Sequence, residues 1–331
     1  VYQTKSNDWV VIDTWSESQK SDSFVFTEKL VSGKYTAMAT GIYYLSANVI
    51  FKDSNGPIYI MIAVNNQLSK RTALYATKGK PSVVQDSLSV SGALFIKKDS
   101  YVNVYVMIEN DNSWSIDIDS TFSMVFLGYQ TNIFGVTTVL TNSLAYTTSG
   151  WFKIGKWKSQ TAAGPFFDFG GGFNPDTGDF VAPKAGFYIV SAGIKMVQAS
   201  AVGSTFTLNV AVNGNPSTFQ YQNGIQDYLQ NGNVAPTTND FYSLVVSGLV
   251  LVNAGDSIAL YIQSVADPSY TISQDSFMSI VFISSTNDLY SSGMQLMLDP
   301  TLDQQQSASD WSKVKYWQSN RVRTAAGVFS S

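Results

Sequence analysis

"TGIYYLSANV" at residues 40–49 and "AGFYIVSAGI" at residues 185–194 are two versions of one strand. In each, a glycine opens a run in which bulky apolar residues alternate with other residues. Successive side chains of a strand point to opposite sides of its sheet, so this alternation marks one buried face. Runs of the same kind surround the first copy: "YIMIAVNN", "SLSVSGALFI", "YVNVYVMI" and "TFSMVFLG", separated by clusters of Gly, Asn, Asp and Ser. No stretch holds a 3.6-residue period long enough to be a helix. Many short strands, each with an apolar face to bury, predict two antiparallel sheets packed face to face.

The series then recurs in order, the pattern of an internal repeat. "IAVNNQ" (62–67) matches "VAVNGN" (210–215), and "LSVSGALFIKKDSYV" (88–102) matches "LVVSGLVLVNAGDSI" (244–258). "STFSMVFLG" (120–128) matches the region of "DSFMSIVFIS" (275–284). The repeat predicts a first sandwich over 1–129, a Thr/Ser-rich connector over 130–150 and a second sandwich over 151–284. A Ser/Gln-rich connector over 285–310 and a C-terminal strand over 311–331 complete the reading.

"FNPDTGDFVAPKAGFYIVSAGI" (173–194) resembles C1q-like domains, in which a Phe-rich start, an Asp-Thr-Gly turn, a Pro and a Gly-x-Tyr strand follow one another. "VAVNG", "SGLVLVNAGDSI" and "SFMSIVFIS" resemble the later strands of that family, in order. The first repeat lacks the Pro and carries "KKDS" in place of the Gly-Asp turn. The resemblance implies an all-β protein of two tandem antiparallel jelly-roll sandwiches, C1q/TNF-like, with a C-terminal strand extension. It also implies trimer-forming, extracellular modules, secreted or at the cell surface, that bind rather than catalyse.

Composition narrows the chemistry. The 331 residues include no cysteine and no histidine, which excludes disulfides, thiolate or imidazole catalysis and Cys/His metal sites. A net charge of −4 lacks the basic stripe of a nucleic-acid binder, and no apolar run approaches the roughly 18 residues of a membrane span. Residue 1 is Val, which leaves room for a leader removed or left out. No cofactor is implied.

Two local patterns invite a site. "IDIDS" puts Asp117 and Asp119 at strand spacing, near Glu109 and Asp111, as oxygen ligands for Ca²⁺; a solvated strand face is the competing reading. "DFGGGFNPDTGDF" is glycine-rich but lacks the phosphate-loop pattern, so Pro175 to Gly178 read as a turn.

The tryptophans are the more specific signal. Six of the seven fall in three W-x-x-[IV]-x-x-W segments: Trp9, Ile12 and Trp15; Trp151, Ile154 and Trp157; Trp311, Val314 and Trp317. In an extended strand the two indoles of a pair face one side, about 20 Å apart, and indoles anchor interfaces. "TAAGPF" (161–166) recurs as "TAAGVF" (324–329), so the last segment copies the opening of a domain. Lys313, Lys315, Arg321 and Arg323 make it basic, whereas residues 160–300 are rich in Asp. Two readings follow. Either the last segment is donated to a neighbouring copy, giving a head-to-tail helical fibril, or it begins a truncated third domain of a recognition protein that binds carbohydrate or a protein receptor.

Overall fold

The computed structural model describes residues 8–15, 29–31, 33–54, 56–70, 72–78, 85–109, 111, 114–159, 165–199, 205–214, 216, 226–228, 242–265, 269–285, 296–298 and 317–319. Within these residues the chain is all-β, built as two antiparallel jelly-roll sandwiches.

The first contains β1 (Val10–Val11), β2 (Lys29–Val31), β3 (Lys34–Thr36), β4 (Gly41–Lys52), β5 (Ile58–Val64), β6 (Leu74–Lys78), β7 (Gln85–Ile96), β8 (Tyr101–Ile108), β9 (Ser115–Ile116) and β10 (Thr121–Gly128). One layer runs β6-β5-β8-β3-β2 and the other β10-β4-β7. The second contains β11 (Gly135–Val139), β12 (Leu144–Tyr146), β13 (Gly150–Lys153), β14 (Phe167–Phe169), β15 (Phe173–Asn174), β16 (Asp179–Val181), β17 (Gly186–Ala199), β18 (Thr205–Val212), β19 (Gln226–Tyr228), β20 (Tyr242–Val252), β21 (Ser257–Val265), β22 (Tyr270–Ile272) and β23 (Phe277–Ser285). Its layers run β14-β11-β23-β17-β20 and β15-β16-β21-β18-β19. A hairpin of β24 (Leu296–Leu298) and β25 (Trp317–Ser319) follows.

The opening pair of strands behaves as its alternation requires. Tyr43, Leu45, Ala47, Val49 and Phe51 of β4 point into the first core, and Tyr188, Val190, Ala192, Ile194 and Met196 of β17 into the second. The registers repeat as well: Gly41 lies opposite Ile96 and Gly186 opposite Val252. Tyr43 Oη donates to Ala39 O at 2.8 Å, and Tyr188 Oη to Lys184 O at 2.9 Å, so each core tyrosine ties its polar end to the loop before its own strand. Burial raises the Tyr188 hydroxyl to about 12.

Residues 130–150, read as a connector, are not a tether. β11 pairs with β23 and β14, and β12 with β22, so two strands of the second sandwich arise there.

The departure at "KKDS" turns out to be one of residue type and not of shape. Asp99 has φ 65°, where its counterpart Gly255 has φ 89°. A left-handed conformation costs a side chain about 1–2 kcal/mol, offset in part by the greater unfolded-state freedom of glycine. Asp99→Gly is therefore expected to stabilise the first sandwich by up to about 1 kcal/mol, read as a raised thermal midpoint.

Candidate interface at the tryptophan pairs and between the sandwiches

The first two tryptophan-pair segments sit in their own sandwiches, in seats built alike. β1 lies along β8, and Ile12 N–H donates to Val104 O at 2.9 Å. β13 lies along β21, and Ile154 N–H donates to Leu260 O at 2.9 Å. Ile12 and Ile154, 3% and 0% exposed, are core residues. A turn presses from the other side. Gly33 (φ 71°) would place a Cβ 2.5 Å from Ile12 O, and Gly178 (φ 75°) one 2.2 Å from Ile154 O. Only glycine satisfies both the conformation and the approach. The turn read from Pro175 to Gly178 thus holds the tryptophan segment in place, since Pro175 O accepts from Trp157 N–H at 2.8 Å and Asp176 O from Lys156 N–H at 3.1 Å.

The two indoles of a pair do not share a face, which corrects the expectation from strand spacing. Trp9 meets Tyr59 and Tyr75 edge-on, with centroids at 6.4 and 6.2 Å, on the outer side of β5. Trp15 packs on the first core beside Phe122 at 6.1 Å. In the second segment Trp151 is half-buried, whereas Trp157 is 3% exposed and donates through Nε1 to Ile154 O at 2.8 Å. The cause is length. β1 and β13 last two and four residues, and after β13 the backbone turns at Lys156, φ 61°, before the second tryptophan is reached.

The lysines of the second segment pair with aspartates of their own sandwich. Lys153 Nζ lies 2.7 Å from Asp179 Oδ2, and Lys156 Nζ 3.2 Å from Asp176 Oδ1. The second pair is largely exposed, so it contributes little to stability.

In the third segment Trp311, Lys313, Val314, Lys315, Arg321 and Arg323 lie outside the described residues. Trp317 is described through its backbone: it lies opposite Leu298, with Gln318 opposite Met297 and Ser319 opposite Leu296. The second segment has the same feature, an antiparallel bridge between Trp157 and Leu140 at the end of β11.

The sequence did not reveal the contact between the sandwiches. The edge of the first, β6 and β7, lies on the outer face of the second, β11-β23-β17-β20. β6 also meets β20 edge to edge, Lys78 opposite Tyr242, and outward Ile42, Tyr44, Ala93 and Phe95 pack with Ile189 and Val281. Hydroxyls cap that edge. Ser279 Oγ accepts from Ala93 N–H at 3.0 Å, and Thr137 Oγ1 donates to Ala93 O at 2.7 Å, with the two hydroxyls 2.9 Å apart. Ser243 Oγ accepts from Thr77 N–H at 3.0 Å, Pro165 O accepts from Phe95 N–H at 2.8 Å, and Tyr44 Oη bonds Ser247 Oγ at 2.7 Å. Phe277 of β23 reaches across into the core cluster of the first sandwich. Charge is buried at the same junction. Lys195 Nζ, on a residue 6% exposed, lies 3.7 Å from Asp275 Oδ2, which Lys70 Nζ also approaches at 3.7 Å. Burial, with the like charge of Lys70, holds the Lys195 ammonium below the usual lysine range against the pull of Asp275.

Asp117 and Asp119 do not lie along a strand face. β9 ends at Ile116, and the two aspartates form a turn in which Asp119 N–H donates to Asp117 Oδ1 at 3.1 Å. Asp117 also binds Lys52 Nζ, and that hydrogen bond lowers its carboxyl below the ordinary range. A carboxylate already neutralised by an ammonium is a poor hard-cation ligand. Among the described residues, no group of three or more acids is placed to hold a metal ion.

No family model and no curated protein matches the chain. Among solved structures, the chain is similar to an Eiger TNF from S. frugiperda: 14% identity over 48% of this chain and 98% of that one, TM-score 0.34. It is also similar to a β-porphyranase of glycoside hydrolase family 86 from the human gut bacterium Bacteroides plebeius: 11% identity over 76% and 34%, TM-score 0.23. At such scores neither likeness assigns a family or an activity.

Proposed function

We infer that the chain is a non-catalytic, extracellular building subunit that joins copies of itself head to tail, with residues 285–331 as part of the joint. The observation that carries this reading is the contact between its two sandwiches. That contact is between unlike surfaces, the β6-β7 edge and adjoining β4 residues of the first sandwich against the outer face of the second, and such contacts propagate into rings or open filaments. Equivalent positions are unequally covered: Val281 of the second face is 0% exposed, and its counterpart Val125 in the first is 46% exposed. Ser279 is 1% exposed, and its counterpart Ser123 is exposed. Along β10 the first sandwich thus leaves open the kind of face that is covered on the second, while Ile42, Ala93 and Phe95 of the same layer are already buried at the junction. The extracellular placement rests on the resemblance of residues 173–194 to C1q-like domains, and the third tryptophan pair supplies an anchor of the type that interfaces use.

Negative-stain electron microscopy of the whole chain beside a form lacking residues 286–331 tests the reading. Regular filaments from the whole chain, reduced to small particles by the deletion, are expected. Small discrete particles in both samples contradict it.

A further inference from the structure

The second sandwich has a strand that the described part of the first lacks. β11 lies along the outer edge of β23, with Gly135 opposite Val281, Thr137 opposite Ser279 and Val139 opposite Phe277. All five residues of β11 are buried, as are residues 277–281 of β23. The counterpart of β23 is β10, because Ser123 lies opposite Ser46 as Ser279 lies opposite Ser191. Among the described residues the other edge of Thr121–Val125 pairs with no strand, and Thr121, Ser123 and Val125 are exposed. A strand edge of this kind accepts another strand.

The chain carries a second copy of β11. "GVTTVL" (135–140) is matched by "GMQLML" (293–298): a glycine, then a run that ends in the leucine paired with the second tryptophan of the following segment. Residues 293–295 lie outside the described residues, so there the match is one of sequence. The shared glycine has a physical reason. At Gly135 a Cβ would stand 2.5 Å from Ile280 O and 2.9 Å from Val281 Cα, so β11 lies on β23 only because that position has no side chain.

We propose that residues 293–298 of one copy add as a strand to β10 of the first sandwich of a second copy, in the register of β11 on β23. Gly293 then lies opposite Val125, Gln295 opposite Ser123 and Met297 opposite Thr121. The inference deepens the head-to-tail reading and rests on it. It names the donor as the strand before the third tryptophan pair and the acceptor as β10. Main-chain hydrogen bonds supply the affinity, and Met294 opposite Met124 and Leu296 opposite Phe122, on the core-facing side of β10, supply apolar area.

The absence of cysteine makes the test clean. Residues opposite one another on antiparallel strands have Cα atoms about 4.5–5.5 Å apart, within disulfide range. Ser123→Cys and Gln295→Cys are made separately in the full chain, mixed and mildly oxidised. A disulfide-linked dimer of one variant with the other is expected, at about tenfold the yield of a mixture of Ser89→Cys with Gln295→Cys. Adding Gly293→Val to the Gln295→Cys chain is expected to abolish the dimer while its circular dichroism and thermal midpoint stay unchanged. Filaments or oligomers with no excess of the Ser123–Gln295 disulfide overturn this register and leave head-to-tail assembly standing. In a further chain carrying both Ser123→Cys and Gln295→Cys, a disulfide that forms only within single chains overturns donation between copies. The specific dimer without filaments supports the strand contact and sinks the filament reading.

Discussion

Phe277→Ala is expected to cost the protein about 3–5 kcal/mol, the usual loss for a buried Phe, and to loosen the two sandwiches from each other. Phe277 is 1% exposed and belongs to β23 of the second sandwich, yet it packs with the core of the first. The structure makes room for it: a Cβ on Gly193 would stand 2.5 Å from its ring. A single truncation therefore leaves a cavity where two cores meet. Against a total of about 5–15 kcal/mol for a natural domain this is a large fraction. Calorimetry is expected to show a lower midpoint and a transition that divides in two. Val125→Ser, on the exposed counterpart of the face, is expected to stay within about 0.5 kcal/mol of the parent.

The second large effect concerns the seat of the tryptophan-pair segment. Gly178→Ala forces a side chain into a left-handed residue, costing about 1–2 kcal/mol from conformation alone, and drives its Cβ into Ile154 O. The Ile154 carbonyl also accepts the Trp157 Nε1–H, so pushing it aside breaks that hydrogen bond and unseats an indole that is 3% exposed. Gly171→Ala is the control, since Gly171 has φ 67° with nothing within 4 Å of the added Cβ. Urea unfolding is expected to show a larger loss for Gly178→Ala than for Gly171→Ala. A red shift of tryptophan emission is expected for Gly178→Ala alone. Equal losses and unshifted emission in both would mean that the turn does not hold the segment.

Much of the fold was legible because burial in a two-layer sandwich follows alternation. β4 and β17 place every second residue in a core, as "TGIYYLSANV" and "AGFYIVSAGI" require. Even the break in alternation at "IYIMIAV" has a cause: β5 is buried throughout, because Trp9 and Tyr75 cover its outer face. The tryptophan segments were legible as a motif but not in their geometry. Strand spacing applies only while the strand lasts, and each of the first two segments leaves it before the second indole.

The junction was hidden for a different reason. Ser91, Thr137, Ser191 and Ser279 occupy outward positions with small polar side chains, the usual mark of a solvated face, yet all are buried. Their hydroxyls satisfy a strand edge and one another across the contact. Such a use is visible only when two surfaces far apart in sequence are brought together. "VTTV" in residues 136–139 was misleading in the same way, since its threonines look like linker residues and are fully buried in β11.

Head-to-tail association between copies stands or falls on sedimentation equilibrium over a wide range of protein concentrations. A single chain has a mass of 36.1 kDa. Species of several chains are expected at high concentration, returning toward 36.1 kDa on dilution. A mass of 36.1 kDa at every concentration would contradict head-to-tail association.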